Sequence, residues 1–256
     1  MKRIAMVGGA GRMGQVLIEN LNLIDGLVVS TVIDLHEPAH LFGARYSTTL
    51  ADAAVANIDV VVDFSQPASV VTSARWCAAN RVGLVIGTTG LDDEQRAAVE
   101  SAATSTGVIM ASNFSLGAVL TERFAAIAAP YFERVEIIEL HHDRKLDAPS
   151  GTSIATASRI RAARAAAGSV TPDEPTQRHT LEGARGANAG DGVRIHSVRL
   201  PGLVAHQEVL FGGSGEGLTI RHDSYDRVSF VQGVAIAIAH VSSTPGFTWG
   251  IDDFIA

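Results

Sequence analysis

The run Glu139-Leu140-His141-His142-Asp143-Arg144-Lys145-Leu146-Asp147-Ala148-Pro149-Ser150-Gly151-Thr152 is the densest collection of reactive side chains in the chain. It joins two imidazoles to two cations and ends in a Pro-Ser-Gly-Thr turn that opens a helix-like stretch. An imidazole titrates near neutrality, at an unperturbed pKa of about 6.5, so His141 is suited to supply a proton. A helix start offers free N–H groups, and with a hydroxyl nearby it suits a carboxylate. His142 and Lys145 would add positive charge to the same pocket. The chemistry expected of such a set is protonation of a small anionic substrate. The alternative at this point is a polar strand-to-helix loop with surface histidines. Histidine is also a common zinc ligand, but the run has no His-x-x-x-His, no nearby cysteine and no glutamate in zincin spacing. No metal site is expected.

A second set lies at the start of the chain. Gly8, Gly11 and Gly14 follow an apolar run and open a helix-like stretch, and Asp34 ends the next apolar run. Strand, glycines, helix and distal acid together form a dinucleotide-binding fingerprint. A pyrophosphate reaches backbone N–H groups only where no Cβ blocks it, and a helix N-terminus adds partial positive charge. Arg12 and Met13 would flank the pyrophosphate. Asp34 would accept hydrogen bonds from a ribose, which favours the free 2′-hydroxyl of NADH over a 2′-phosphate. Arg45 is a basic side chain that could still reach such a phosphate. Two further groups end apolar runs at the edge where an open α/β sheet places its ligand: Phe64 with Ser65, and Gly87 with Thr88 and Thr89. A plain strand-end turn explains each of these groups equally well from sequence alone.

These residues need elements to hold them. The apolar runs Arg3–Val7, Leu27–Ile33, Val60–Phe64, Leu84–Ile86 and Val108–Ala111 lack polar alternation, as expected of parallel strands buried on both faces. Helix-length stretches separate several of them: Met13–Leu21, Pro67–Asn80 and Asp92–Ser101, with Asp92 as N-cap. This alternation indicates a doubly wound α/β sheet. After Asn113 the pattern changes. Leu116–Ala129 and Thr152–Ala167 read as helices, and Glu133–His141 as a half-buried strand. Gly168–Gly192 reads as a long loop or flap. Val193–Arg199, Glu208–Phe211 and Leu218–His222 read as strands of a second, antiparallel or mixed sheet, followed by a helix at Phe230–His240. The expected fold class is therefore α/β, a Rossmann-type sheet plus a second α+β domain. The expected boundaries are 1–113 with 223–256 for the dinucleotide and 114–222 for substrate binding and oligomerisation.

Composition narrows the partners. The chain has 256 residues, is 46% hydrophobic and carries a net charge of −7. Nothing basic is concentrated enough for nucleic acid, so none is expected as a partner. No apolar run reaches the ~18 residues that span a bilayer, so no membrane association is expected. Cys77 is the one cysteine, which excludes an intrachain disulfide; beside Trp76 it reads as a small core residue. With the first strand starting at once and no secretory segment ahead of it, a cytoplasmic location is expected.

The chain resembles the 4-hydroxy-tetrahydrodipicolinate reductases of bacterial lysine and diaminopimelate biosynthesis. The resemblance spans nearly the whole chain and rests on VGGAGRMG at 7–14, DFSQP at 63–67, GTTG at 87–90, ASNFSLG at 111–117 and ELHHDRKLDAPSGT at 139–152. SVRLPGLVAHQEVLF at 197–211 is similar to the version in actinobacterial members. The resemblance implies NADH or NADPH as cofactor, a dicarboxylate substrate and a homotetramer. It implies His141 as proton donor and Lys145 as a residue that assists protonation and holds substrate, with His142, Gly151 and Thr152 as carboxylate contacts. Ser112, Asn113 and Phe114 resemble the family's hinge, which also lines the nicotinamide; Arg227 and Phe230 resemble its late cofactor contacts. Some members carry a basic residue directly after the acid, where this chain has Leu35 and then His36, a departure that tilts the expectation towards NADH. Two rivals share the glycine fingerprint. Another two-domain dehydrogenase would lack the His-His-Lys set, and a dinucleotide-sensing binding protein would have lost His141 or Lys145.

Overall fold

The structure, a computed structural model, describes residues 1–255. The chain divides into two compact units, Met1–Ser115 with Arg227–Ala256, and Leu116–Asp226.

The first unit is built on a seven-stranded parallel sheet. Its strands are β1 (Lys2–Val7), β2 (Leu27–Ile33), β3 (Arg45–Ser47), β4 (Val60–Asp63), β5 (Gly83–Ile86), β6 (Gly107–Met110) and, from the end of the chain, β12 (Gly246–Trp249). The spatial order is β12-β6-β5-β4-β1-β2-β3. Every residue of β4, β5 and β6 is buried, which is why these strands read as continuous apolar runs. Helices α1 (Arg12–Leu21), α2 (Pro67–Asn80) and α3 (Asp93–Ala102) connect them. Pro67 occupies the first turn of α2, where its missing N–H costs nothing. Asp92 caps α3 in a capping box with Gln95. Side chains of β1, β4 and β5 merge with Val70, Ala74 and Cys77 of α2 and Val99 of α3 into one core. Helix α6 (Val231–Val241) packs on β5 and β6 in the same unit. A 3₁₀ turn, Arg227–Phe230, precedes it, so the regular helix starts one residue later than its apolar pattern suggests. The short strands β3 and β12 were not legible in sequence, because three or four residues carry too little periodicity to stand out.

The second unit carries a five-stranded sheet in the order β11-β10-β7-β9-β8. Its strands are β7 (Arg134–His141), β8 (Ala187–Asn188), β9 (Arg194–Arg199), β10 (Ala205–Gly213) and β11 (Glu216–Ser224). The sheet is mixed. β10 runs antiparallel to β7 and β11, but β9 runs parallel to β7. The parallel pair follows from connectivity: helix α5 (Gly151–Ala167) and the segment after it form a crossover long enough to bring β9 back in the direction of β7. Helices α4 (Leu116–Ala128) and α5 pack together, and Ala125, Ala157 and Ile160 join Val135, Ile137, Ile195, Val209 and Phe211 in a second core. α4 ends one residue early, in a 3₁₀ turn that contains Pro130. The segment 168–192 is anchored rather than a free flap. Gly168 caps α5 in the left-handed conformation at φ 65°. Arg185 donates to Glu136 at 3.2 and 2.5 Å and to Glu174 at 3.2 Å, and β8 pairs with β9. Among the described residues, no helix is long and apolar enough to cross a membrane.

Candidate active site

In the first unit the sequence-selected residues follow the carboxyl ends of adjacent parallel strands. Gly8 follows β1, Asp34 follows β2, Phe64 and Ser65 follow β4, Gly87, Thr88 and Thr89 follow β5, and Ser112, Asn113 and Phe114 follow β6. The chain order reverses between β1 and β4, the switch point where open α/β sheets bind ligands. The loops touch there. A Cβ on Gly8, at φ 81°, would lie 2.5 Å from the Phe64 carbonyl oxygen. A Cβ on Gly14 would lie 2.2 Å from the Gly8 oxygen and 2.7 Å from Gly9 Cα. Both contacts are with backbone, so only glycine permits this turn. Gly11 is the N-cap of α1 and supplies no side-chain cap, leaving first-turn N–H groups for an anion. Arg12 is exposed and Met13 half-buried in that turn. Asp34 Oδ2 accepts from the Ala10 N–H at 2.9 Å, which ties the acid to the glycine turn; a carboxylate has lone pairs left for a ribose. These residues fit a dinucleotide.

Three of the expected contacts turn inward. Asp63 is fully buried and accepts from the Ser65 hydroxyl at 2.5 Å, the Ser73 hydroxyl at 2.6 Å and the Thr88 hydroxyl at 3.1 Å. Burial pushes its carboxyl above the usual range, and the hydroxyls only partly counter this. Ser65 and Thr88 thus spend their hydroxyls holding the ends of β4 and β5 together. Phe114 is buried, its ring 5.7 Å from that of Phe64. Thr89 and Ser112 remain exposed. Arg227, exposed, and Phe230 bound the 3₁₀ turn that packs against α1.

In the second unit, His141 is the last residue of β7 and its Nδ1 lies 2.5 Å from Glu139 Oε2. Glu139 is fully buried. Arg199 donates to its two oxygens at 2.8 Å each, and the Ser150 N–H donates at 3.3 Å. Burial pushes the Glu139 carboxyl up, but bonds from Arg199, Ser197 and His141 outweigh it and hold the group below its ordinary range. Burial lowers the His141 pKa; Glu139 opposes this, and the charges of Lys145 and Arg199 reinforce it. The turn after β7 closes through the Lys145 N–H to the His142 carbonyl at 3.2 Å. Lys145 Nζ donates to both oxygens of Asp147, at 2.8 and 2.9 Å. His142 Nδ1 is buried and has no partner among the described residues. Ser150 caps α5 through its hydroxyl, which accepts from the Ser153 N–H at 3.2 Å. Ser153 in turn donates to Gln207 of β10 at 2.8 Å, pinning the helix start to the sheet. Gly151 is exposed, and beyond its chain neighbours and the backbone of its own helix no protein atom lies within 4 Å of where its Cβ would be. The fold therefore leaves open space beside the first turn of α5, where half-buried Thr152 follows. His141, His142, Lys145, Gly151 and Thr152 are thus held on one strand end, one turn and one helix start.

Sequence reasoning assigned no role to Glu139, Arg199 or Asp63. A signal for Glu139 was present: Val135, Ile137 and Glu139 alternate at period two, which places the carboxylate on the buried face of β7. Arg199 carried no local signal, because its partner lies sixty positions away.

Comparison with known proteins agrees with this architecture. Residues 2–114 match the family described as "Dihydrodipicolinate reductase, N-terminus", and residues 117–255 match "Dihydrodipicolinate reductase, C-terminus". The 4-hydroxy-tetrahydrodipicolinate reductase of Corynebacterium urealyticum is 43% identical over 259 residues, covering 100% of this chain and 99% of that protein. The Streptomyces griseus enzyme of the same name is 44% identical over 256 residues, covering 99% and 97%. A dipicolinate-bound dihydrodipicolinate reductase from Paenisporosarcina sp. TG-14 superimposes with a TM-score of 0.88 at 42% identity, covering 99% of each chain. An amine dehydrogenase from Mycobacterium smegmatis, at TM-score 0.60 and 15% identity, shares the fold alone. Matched along both halves and over its full length, this chain belongs to the dihydrodipicolinate reductase family.

Proposed function

We propose that this chain catalyses the NAD(P)H-dependent reduction of 4-hydroxy-tetrahydrodipicolinate, by way of dihydrodipicolinate, to tetrahydrodipicolinate in lysine and diaminopimelate biosynthesis. The observation that carries the reading is the set His141, His142, Lys145 and the open first turn of α5, in a chain whose relative is solved with a planar dicarboxylate bound. Bound reduced nicotinamide supplies a hydride. Gly8, Gly11 and Gly14 with the start of α1 would hold its pyrophosphate, and Asp34 its ribose. Hydride attack on a conjugated imine leaves negative charge, so the protein must supply position, positive charge and a proton. His141 Nε2 is the atom assigned to deliver the proton. Lys145 holds one substrate carboxylate, exchanging Asp147 for it. His142, through its unpartnered Nδ1, and the N–H groups at Gly151 and Thr152 hold carboxylate oxygens.

The test is oxidation of NADH, and then NADPH, with substrate made in situ by the preceding synthase. Turnover with either cofactor supports the reading. A folded protein that binds dinucleotide but gives no turnover overturns it in favour of a related dehydrogenase or a sensor. NADH is the favoured cofactor, since Asp34, tied to the glycine turn, would accept from a free 2′-hydroxyl and repel a 2′-phosphate. Asp34→Ala is expected to weaken NADH several-fold while leaving NADPH unchanged or tighter; equal losses would remove Asp34 from the ribose site. We further place the enzyme in the cytoplasm as a homotetramer, following the resemblance, and light scattering on the purified protein reads the assembly directly.

A further inference from the structure

We propose that buried Glu139 and half-buried Arg199 form a positioning pair that sets which nitrogen of His141 carries the exchangeable proton and binds the His141 strand end to the Lys145 turn. The inference deepens the proposed function and rests on its assignment of His141 as proton donor.

The geometry is specific. Glu139 is fully buried and points to the same side of β7 as Val135 and Ile137, the core-facing side. A lone carboxylate there would take up a proton rather than remain charged. Arg199, opposite His141 in the parallel register of β7 and β9, supplies the compensating charge through its Nη1 and Nη2. A carboxylate kept ionised is only an acceptor, so at the 2.5 Å contact His141 Nδ1 must be the donor. The proton on Nδ1 is thereby fixed, and Nε2 is left as the exchanging site. In the protonated ring the Nε2–H bond breaks towards substrate, and its electron pair stays on the imidazole. The product ring is the neutral Nδ1–H tautomer, still bonded to Glu139. No rearrangement within the pair is needed for the next proton to arrive from water.

The same guanidinium reaches the second candidate catalytic group. Arg199 Nη2 also donates to the Asp147 carbonyl at 2.8 Å, and the Asp147 side chain receives Lys145 Nζ. One arginine thus joins the strand end that carries His141 to the turn that carries Lys145. The charged groups bearing on His141 are Glu139 on its own strand, Arg199 on β9 and Lys145 on the following turn. Its partner on β10, Ala205, is uncharged, and α5 contributes the Ser150 N–H to Glu139. Glu139 is the one anion in this set, so its loss leaves His141 facing cations alone.

The experiment compares wild type, Glu139→Gln and the double variant Glu139→Gln/Arg199→Met. Gln keeps the shape and an acceptor but not the charge; the double variant removes both charges of the pair, so that its structural role is cancelled. The first readout is NMR titration of the histidine rings with labelled imidazole nitrogens, which needs no turnover. The second is the pH profile of kcat. The wild-type ring is expected as the Nδ1–H tautomer when neutral. In Glu139→Gln its titration and the alkaline limb of kcat move acidward by about one pH unit or more, with the tautomers mixed and NADH affinity unchanged. The double variant is expected to regain wild-type thermal stability while keeping an acidward shift of smaller size. An unchanged titration and profile in Glu139→Gln would overturn the proposal, as would a double variant with the wild-type tautomer, profile and kcat. His141→Ala separates the two readings. Full turnover in that variant defeats the proton-donor assignment, whereas the NMR titration judges the Glu139 pairing independently.

Discussion

At the scale of single residues, the candidate site keeps opposite charges close. Lys145 is held by an exposed aspartate, a pair of the kind worth only about 0–1 kcal/mol in solvent. Under the proposed function a substrate carboxylate is therefore expected to displace Asp147 at little cost. Lys145→Ala is expected to lower kcat by about 10²–10⁴-fold, the usual range for a positioned group in proton transfer, with NADH affinity, read by fluorescence titration, unchanged. Unaltered turnover would remove Lys145 from the site. Glu139 and Asp63 are the contrasting cases. Both are fully buried carboxylates, but Glu139 meets a guanidinium and is held ionised, while Asp63 meets only hydroxyls and an N–H and is pushed towards its neutral form. A short apolar run ending in an acid is visible in both segments of sequence. Which of the two carboxylates keeps its charge depends on a partner the local sequence does not contain.

At the scale of elements, the two helix starts assigned to ligand binding differ in their tolerance for added atoms. The entrance to α1 is filled by its own backbone. Gly14→Ala drives a methyl into Gly8 and Gly9, and overpacking of that kind costs about 1–3 kcal/mol. Calorimetry should show that loss, with a tenfold or greater rise in the Kd for NADH, since about 1.4 kcal/mol is tenfold. The entrance to α5 is open. Gly151→Ala meets no protein atom and should leave stability unchanged or raise it by up to about 1 kcal/mol, while raising KM for the dicarboxylate. An unchanged KM would show that nothing approaches Gly151. The five-stranded sheet shows the limit of reading strands by pattern. Four of its strands were legible from alternation or apolar content, whereas the two-residue β8 lay inside the segment read as a loop, and the parallel pairing of β7 with β9 arises from the crossover through α5. That pairing sets Arg199 beside His141.

At the scale of the whole molecule, the titratable groups that folding perturbs are unevenly shared. His141 and His222, both lowered first by burial, lie in the unit Leu116–Asp226. So do the depressed carboxyls Glu136, Glu139, Asp147 and Asp223, and Glu174, held at about 2 by bonds from Thr176. A histidine lowered on folding binds its proton more readily when unfolded, so its contribution is lost as pH falls below the unfolded value of about 6.5. Depressed carboxyls add stability above about pH 4 and lose it as pH falls through their folded values. In the other unit depressed Asp59 acts in the same direction, but raised Asp63 opposes it, being relieved by protonation. Hydrogen exchange followed by mass spectrometry should therefore show Leu116–Asp226 losing protection first as pH is lowered from about 7, through the histidine range, to below about 4, where the carboxyls protonate; simultaneous loss in both units would refute the assignment. The sequence by itself determined the alternation of strands and helices, the glycine turn, the acid after β2 and the histidine–lysine run, because each depends on periodicity, on steric freedom at a glycine or on neighbours a few residues apart. The tertiary structure alone decided the Glu139–Arg199 pair, the ring of hydroxyls around Asp63 and the short edge strands β3 and β12. Those depend on which distant segments the sheets bring into register, and a charge is kept, lost or aimed only once its buried surroundings are complete.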